Sequence, residues 1–279
     1  MRFRDFLLTP LTEGGNAIKG AAKITQAEIR EVVPVLAQKI QAALKLSPNK
    51  VKLIGSGGKK PNDSDLSNDI DFAVECDTEV VAEHLKDLAG DHASRAMKGI
   101  GVYSFAHEVG NKLVQVDLIP VSNIKFAEWS YQANPDDLRQ GLKGAQRNEL
   151  YFAIAKYMPQ ELLKNDDQGK PLEIKRYFYD LSRGLMIGTK SRVNKNGKVG
   201  KNFSTVDKKV ISDDPTNICE KMFGKGVTPE QVSTFDGTLR AISSPKFLHR
   251  ECLNDILELA KDGIKNKNLK LPSVFLDSK

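Results

Sequence analysis

One segment, Asp69-Ile-Asp-Phe-Ala-Val-Glu75, constrains the fold of this chain more than any other. Its apolar side chains alternate with polar or small ones, a pattern that predicts a strand with one buried face. Asp69 and Asp71 then point to the same face, about 6–7 Å apart. Two carboxylates so placed repel each other unless a cation lies between them, so the strand indicates a site for a divalent metal ion.

A third carboxylate, Asp117, interrupts the apolar run Val114-Gln-Val-Asp-Leu-Ile-Pro120. An acid inside an apolar strand is costly to desolvate unless it has a partner. Lys112 or a nearby hydroxyl could be that partner. If this strand instead lies beside residues 69–75, Asp117 joins the first two acids. Three such carboxylates can bridge two Mg²⁺ ions about 3.5–4 Å apart, and Mn²⁺ could substitute for Mg²⁺.

A loop with the sequence Gly-Ser-Gly-Gly-Lys-Lys follows a short predicted strand, Val51–Ile54. It fits neither a Walker A loop nor a dinucleotide-binding fingerprint, because the glycines that each requires are missing. Glycines still let a backbone approach a phosphate closely, and exposed N–H groups at a turn bind anions. We expect four residues of this loop to bind the phosphates of a nucleotide: Gly55, Ser56, Lys59 and Lys60. A solvated loop is the alternative for the two lysines.

The order of these features, over about residues 25–121, resembles the nucleotidyltransferases of the DNA polymerase β superfamily. The resemblance implies an enzyme that moves a nucleoside monophosphate from an NTP to a hydroxyl acceptor and releases pyrophosphate. It also implies that Asp69 and Asp71 hold both Mg²⁺ ions, and that Asp117 holds the catalytic ion and helps to deprotonate the acceptor. Gly55 and Ser56 match the pair that grips the phosphates.

Local signals in the first half predict a mixed sheet with flanking helices. Thr25-Gln-Ala-Glu28 is a capping box that begins an amphipathic helix, and Gly110-Asn111 is a hairpin turn. We expect an α+β fold of two domains, with residues 1–140 forming a nucleotidyltransferase-type domain. Residues 141–279 then form a mostly helical domain that binds the acceptor or nucleotide and carries a β-meander at about 172–211.

The C-terminal half contains three predicted helix starts. These are Asp214-Pro215, whose helix Gly224 ends, then Thr228-Pro229, and finally Ser244-Pro245. Each pairs a capping residue with a proline at the first helical position. An earlier helix carries Arg147, Tyr151 and Lys156, which could flank a nucleotide, but for Tyr151 we favour a core aromatic over a platform on which a base stacks.

Positive charge accumulates in the second half of a chain whose net charge is +6. Residues 188–209 hold seven lysines and arginines and one acid, Asp207, and Asn196-Gly197 predicts a hairpin turn among them. Such a hairpin could track a phosphate backbone, which makes an RNA 3′ end our first choice of acceptor. A merely solvated basic surface is the alternative for the hairpin. A small molecule, a protein hydroxyl, a second nucleotide, or a non-catalytic nucleotide- or RNA-binding module remain alternatives for the function.

The remaining composition narrows the environment and the chemistry. Three cysteines and four histidines show no zinc-ligand spacing, which argues against structural zinc and against Cys/His nucleophile chemistry. The scarcity of cysteine fits a reducing, cytoplasmic compartment. No apolar stretch approaches the roughly 18 residues of a membrane span, so we expect no membrane partner.

Overall fold

Two units divide the chain in the computed structural model, which describes residues 17–194 and 196–276. The first unit comprises Met1–Gln146 and Asp262–Lys279, and the second comprises Arg147–Lys261. The division falls within two helices, and residue 140, where the sequence predicts a boundary, lies inside the first unit.

A five-stranded mixed sheet organises the first unit. Its elements, in chain order, are β1 (Ile24–Thr25), α1 (Gln26–Leu44), β2 (Val51–Leu53), β3 (Leu66–Ser67), β4 (Asp69–Glu75), α2 (Thr78–Ala89), β5 (Ser94–Met97), β6 (Val102–Val109), β7 (Lys112–Val121), α3 (Ile124–Tyr131) and α4 (Pro135–Arg139). The main sheet has the order β2-β4-β7-β6-β5, and β1 pairs separately with β3. Strands β4 and β7 are parallel, and the other neighbours are antiparallel. The expected α+β class with a mixed sheet is confirmed.

Burial on one side of β4 decides which way its acids point. Helix α1 begins at the predicted capping box, in which Thr25 and Glu28 exchange hydrogen bonds. Its apolar face packs with α2 against Ile70, Phe72 and other residues of the same sheet face. Because side chains alternate along a strand, this packing leaves the acids of β4 on the opposite face, and a register slip of one residue would exchange the two faces.

The second turn signal of the first half is also confirmed. Strands β6 and β7 form a hairpin in which Val109 pairs with Lys112 across Gly110-Asn111. Gly110 has a φ of 61°, a left-handed conformation that glycine adopts without steric cost. This tight turn sets the register that brings Ser104 opposite Asp117.

An antiparallel sheet and four helices, two of them shared with the first unit, make up the second unit. The elements are α5 (Gly144–Tyr157), β8 (Glu161–Asn165), β9 (Pro171–Asp180), β10 (Gly184–Val193), β11 (Val199–Thr205), β12 (Lys209–Ser212), α6 (Pro215–Phe223), α7 (Phe235–Ser243) and α8 (Leu253–Asn266). The sheet has the order β11-β10-β9-β8, and β12 also pairs with β10. The predicted hairpin turn at Asn196-Gly197 joins β10 to β11, and β8 is a strand that the sequence analysis does not assign.

One of the three predicted C-terminal helix starts is confirmed and two are wrong. Helix α6 follows Asp214, whose carboxylate caps the helix by accepting a hydrogen bond from the backbone N–H of Asn217, and the helix ends at Gly224. The segment that begins at Thr228 forms a turn, in which the backbone N–H of Thr228 donates to the side-chain oxygen of Gln231. Helix α7 begins only after Thr234. Ser244 ends α7 and starts no helix; α8 begins at Leu253. Among the described helices, none has the length and apolarity needed to cross a bilayer.

Candidate metal and phosphate site

The parallel pairing of β4 with β7 brings three carboxylates together on one sheet face. Asp71 lies directly opposite Asp117, and Asp69 lies opposite Gln115. Oxygen atoms of Asp69, Asp71 and Asp117, here called the aspartate cluster, all lie within 4.8 Å of one another. The sequence analysis brings Asp117 to the other two acids only if its strand lies beside residues 69–75, and the pairing of β4 with β7 meets that condition.

The electrostatics of the aspartate cluster favour a bound cation. Burial, followed by the charge of Asp117, raises the pKa of Asp71 to about 7, while Lys143 and Lys59 oppose the rise. Burial also raises the pKa of Asp117, whose side chain is almost fully enclosed. The same causes that raise these pKa values oppose the ionised form of the carboxyl groups, and a cation between them would offset that opposition. The donor set consists only of oxygen, the kind that Mg²⁺ and Mn²⁺ prefer, so the residues present fit such an ion.

Gln115 holds the carboxylate of Asp117 in place. Its Nε2 donates to both carboxylate oxygens, at 2.9 and 3.0 Å, and its Oε1 accepts from the backbone N–H of Ile18 at 3.0 Å. The buried Ser104 hydroxyl makes no hydrogen bond of good geometry, yet it lies close enough to oppose the rise in the pKa of Asp117. Lys112, the alternative partner of Asp117, instead pairs with Glu28 at 2.8 Å.

Gly55 lies in direct contact with the aspartate cluster. Its φ is 68°, and a β-carbon at this position would lie 2.5 Å from Oδ2 of Asp71. The turn is fixed on both sides, because the N–H of Ile54 donates to the carbonyl oxygen of Asp71 and that of Ala133 donates to the carbonyl oxygen of Gly55. Only glycine combines this conformation with this close approach. Ser56 follows at once, so the predicted phosphate-binding turn begins beside the predicted metal ligands.

The two lysines of the loop occupy different surroundings. Lys59 is partly buried, and burial lowers its pKa while Glu128 and Asp71 oppose the change. Its ammonium group is thus within electrostatic reach of the aspartate cluster. The ammonium group of Lys60 donates to the carbonyl oxygen of Leu66 in β3, which ties the loop to the small sheet. The structure therefore brings Lys59 to the site and gives Lys60 a structural contact; phosphate binding by either remains a prediction.

Lys143 is a site residue that the sequence analysis missed. It precedes α5 and is one of two cations whose charge acts on Asp71. Its backbone N–H donates to Oε1 of Gln146 at 2.9 Å, and Gly144 beside it lies so close to the carbonyl oxygen of Gln132 that a β-carbon would collide. The available sequence signal was a lysine between two glycines, Gly141 and Gly144, just after the domain boundary that we predict at residue 140.

The expectation that Tyr151 is a core aromatic is confirmed. Tyr151 is fully buried, its hydroxyl donates to the carbonyl oxygen of Val232 at 2.6 Å, and its ring packs edge-on against Tyr179 and Phe223. Arg147 is also buried and donates to the carbonyl oxygen of Ser233. Because the ring of Tyr151 is enclosed by these contacts, a nucleotide base cannot stack on it.

The basic hairpin at residues 188–209 combines structural and exposed cations. The guanidinium group of Arg192 in β10 donates to the carbonyl oxygens of Gly200 and Pro171, at 3.1 and 3.3 Å, and so links β10 to both neighbouring strands, β11 and β9. Lys198 and Lys201 are exposed, and Lys195 lies outside the described residues. Exposed lysines can attract a polyanion, but they also protect a strand edge, so the RNA interface stays a prediction.

Comparison of the chain with protein-family models and with curated proteins finds no match. The geometry of the aspartate cluster, the turn at Gly55 and the cations beside them carries the functional interpretation.

Proposed function

We propose that this protein is a Mg²⁺-dependent nucleotidyltransferase that moves a nucleoside monophosphate from an NTP to a hydroxyl acceptor. The observation that supports the proposal most strongly is the meeting of Asp69, Asp71 and Asp117 on one sheet face, directly against the turn at Gly55. Three carboxylates beside a glycine turn offer a metal site and a phosphate site within one small volume. Such a pairing suits two-metal phosphoryl transfer, in which the metal ions stabilise the attacking and leaving oxygens.

Each group of the site has a role in the proposed reaction. Bound Mg²⁺ would supply charge neutralisation for the triphosphate and for the phosphoryl group in transfer. The turn at Gly55-Ser56 binds the leaving phosphates through backbone N–H groups and the serine hydroxyl, and Lys59 and Lys143 offset their negative charge. Asp117 accepts the proton of the acceptor hydroxyl. That oxygen bonds to the α-phosphorus, the bond from the α-phosphorus to the bridging oxygen breaks, and pyrophosphate leaves.

An RNA 3′ end is the acceptor that we favour. The support is the charge of the second unit, whose strands β10 and β11 and the turn between them carry several exposed or partly exposed cations. Single-stranded RNA is held mainly through its phosphates, which such a surface attracts.

Incubation with each of the four α-labelled NTPs, Mg²⁺ and total RNA tests the proposal. We expect labelled RNA and released pyrophosphate with the wild type, no product with Asp69→Asn, and wild-type turnover with the control Asp91→Asn, which changes an exposed aspartate away from the aspartate cluster. A labelled protein or small molecule in place of labelled RNA would show that the acceptor is not RNA. Binding of NTP without any release of pyrophosphate would refute the enzyme and favour a binding module.

A further inference from the structure

A group of cations surrounds one aromatic ring on the sheet of the second unit. The guanidinium carbon of Arg176 lies 5.0 Å from the centroid of Phe178, and the ammonium nitrogens of Lys208 and Lys190 lie 4.9 and 5.7 Å from it. We call Arg176, Lys190 and Lys208 the cation cluster. Its members come from β9, from β10 and from the residue before β12, so the fold, and not local sequence, assembles it.

Strand geometry explains why these side chains converge. Arg176 and Phe178 are two residues apart on β9 and therefore share a face. Gly188 of β10 pairs with Arg176, and a β-carbon there would collide with the carbonyl oxygen of Asp207. The absence of a side chain at residue 188 lets the chain cross directly over the strand, which places Lys208 beside the ring.

No acid in the described part of the chain pairs with the cation cluster. None of its three side chains forms a salt bridge with a carboxylate in the described parts of the chain. Asp207, the nearest acid in sequence, instead accepts a hydrogen bond from the N–H of Thr189 at 2.6 Å. Lys175, the neighbour of Arg176 on the opposite face of β9, does have a partner, Glu161, at 3.6 Å. Among the described residues, the cations on the Arg176 face of β9 therefore lack a carboxylate partner, while the lysine on the opposite face has one.

The surroundings of the cation cluster favour the binding of an anion. The Nε atom of Arg176 is buried and has no hydrogen-bond partner. Burial, and then the charges of Arg176, Lys208 and Lys156, lower the pKa of Lys190. Buried donors are normally satisfied and like charges normally dispersed, so a cluster that violates both rules is typical of a ligand site. Phosphate oxygens would meet both needs, because they accept several hydrogen bonds and bring negative charge.

We propose that the cation cluster binds phosphate groups of a single-stranded RNA. A polynucleotide fits better than a free nucleotide because two exposed lysines continue the positive charge along the neighbouring strand β11: Lys198 directly before it and Lys201 within it. The inference rests on the proposed function only in identifying this RNA as the acceptor; the binding itself needs no catalysis. Arg176, Lys190 and Lys208, rather than the tip of the hairpin, would then be the main contacts of the second unit with the strand.

Fluorescence anisotropy of a labelled single-stranded RNA, measured without divalent metal at several salt concentrations, tests the site. For the double variant Lys190→Gln/Lys208→Gln we expect affinity about tenfold lower or worse. The slope of log K against log salt should become less negative by about 1.4, since each lost single-strand phosphate contact removes about 0.7. Lys175→Gln removes the same kind of charge from the opposite face and should leave both quantities close to wild type. The variant Lys190→Arg/Lys208→Arg should retain binding.

The outcomes separate the possible failures. The double glutamine variant should melt at the wild-type temperature or higher, because it loses like-charge repulsion, so weaker binding with an intact melting curve supports the site. Wild-type affinity and slope in that variant, or an equal loss in Lys175→Gln, would overturn it. Competition by inorganic tripolyphosphate at the same concentration as RNA would also overturn it, in favour of a free polyphosphate. If RNA binding depends on the cation cluster but no NTP reacts, the site stands and the proposed function fails.

Discussion

Replacement of Asp71 by asparagine should stabilise the metal-free protein at pH 8 and change little at pH 4. Burial and Asp117 raise the pKa of Asp71 from 3.8 to about 7 in the folded state. A carboxyl whose pKa is raised by folding contributes stability that is full below pH 4 and is lost as the pH rises through 7. At about 1.4 kcal/mol per pKa unit the loss is at most about 4 kcal/mol. We expect a gain of about 1–3 kcal/mol, below this upper bound, because the amide of asparagine must satisfy its own hydrogen-bonding groups in the place of the carboxyl.

Urea unfolding in EDTA at pH 4.5, 6 and 8 measures this difference. The stability of Asp71→Asn relative to the wild type should grow with pH, while the control Asp91→Asn should show no such trend. Addition of Mg²⁺ at pH 8 should reverse the order, because the ion stabilises only a protein that binds it. A difference that does not vary with pH would refute the electrostatic account of the aspartate cluster.

Three further changes test neighbouring parts of the site. Gly55→Ala should lower the free energy of unfolding by about 1–3 kcal/mol and abolish transfer, because Gly55 has a left-handed φ and lies against Asp71. In the same denaturation assay the control Gly57→Ala should cost less than about 0.5 kcal/mol, because a β-carbon at Gly57 meets only ordinary contacts. Gln115→Leu should reduce transfer about 10- to 100-fold in a folded protein, and wild-type kinetics would exclude positioning of Asp117 by the amide. An NTP with Mg²⁺ should raise the melting temperature more than an NTP with EDTA, and Ser56→Ala should reduce that shift; equal shifts with and without EDTA would indicate metal-independent binding.

The parts of the fold that local sequence specifies were predicted well. Strand β4 has the predicted bounds because alternation between a buried and a polar face is written directly in its residues. The capping box at Thr25 and the Gly110-Asn111 turn are similarly local, since each is closed by groups within a few residues. The aspartate cluster followed from these strands once β4 and β7 were neighbours, a fact that depends on the whole sheet.

The features that were missed depend on contacts between distant residues. All five residues of β8 are exposed, so the strand has no buried face for a pattern to reveal. The two wrong helix starts have good capping residues. At Thr228 the side chain of Gln231 instead accepts a hydrogen bond that closes a turn, and Ser244 lies at the C-terminal end of α7. Lys143 reaches Asp71 only through the path of the chain after β7, which no spacing in the sequence encodes.

Manganese binding followed by electron paramagnetic resonance tests the central claim most directly, because bound Mn²⁺ loses the signal of the free ion. At neutral pH, in the presence of an NTP, the wild type should bind Mn²⁺, and Mg²⁺ should compete with it. Asp71→Asn and Asp117→Asn should bind far less, and Asp91→Asn should match the wild type. Equal binding by the wild type and by Asp71→Asn, or no binding by either, would contradict the assignment of Asp69, Asp71 and Asp117 as metal ligands.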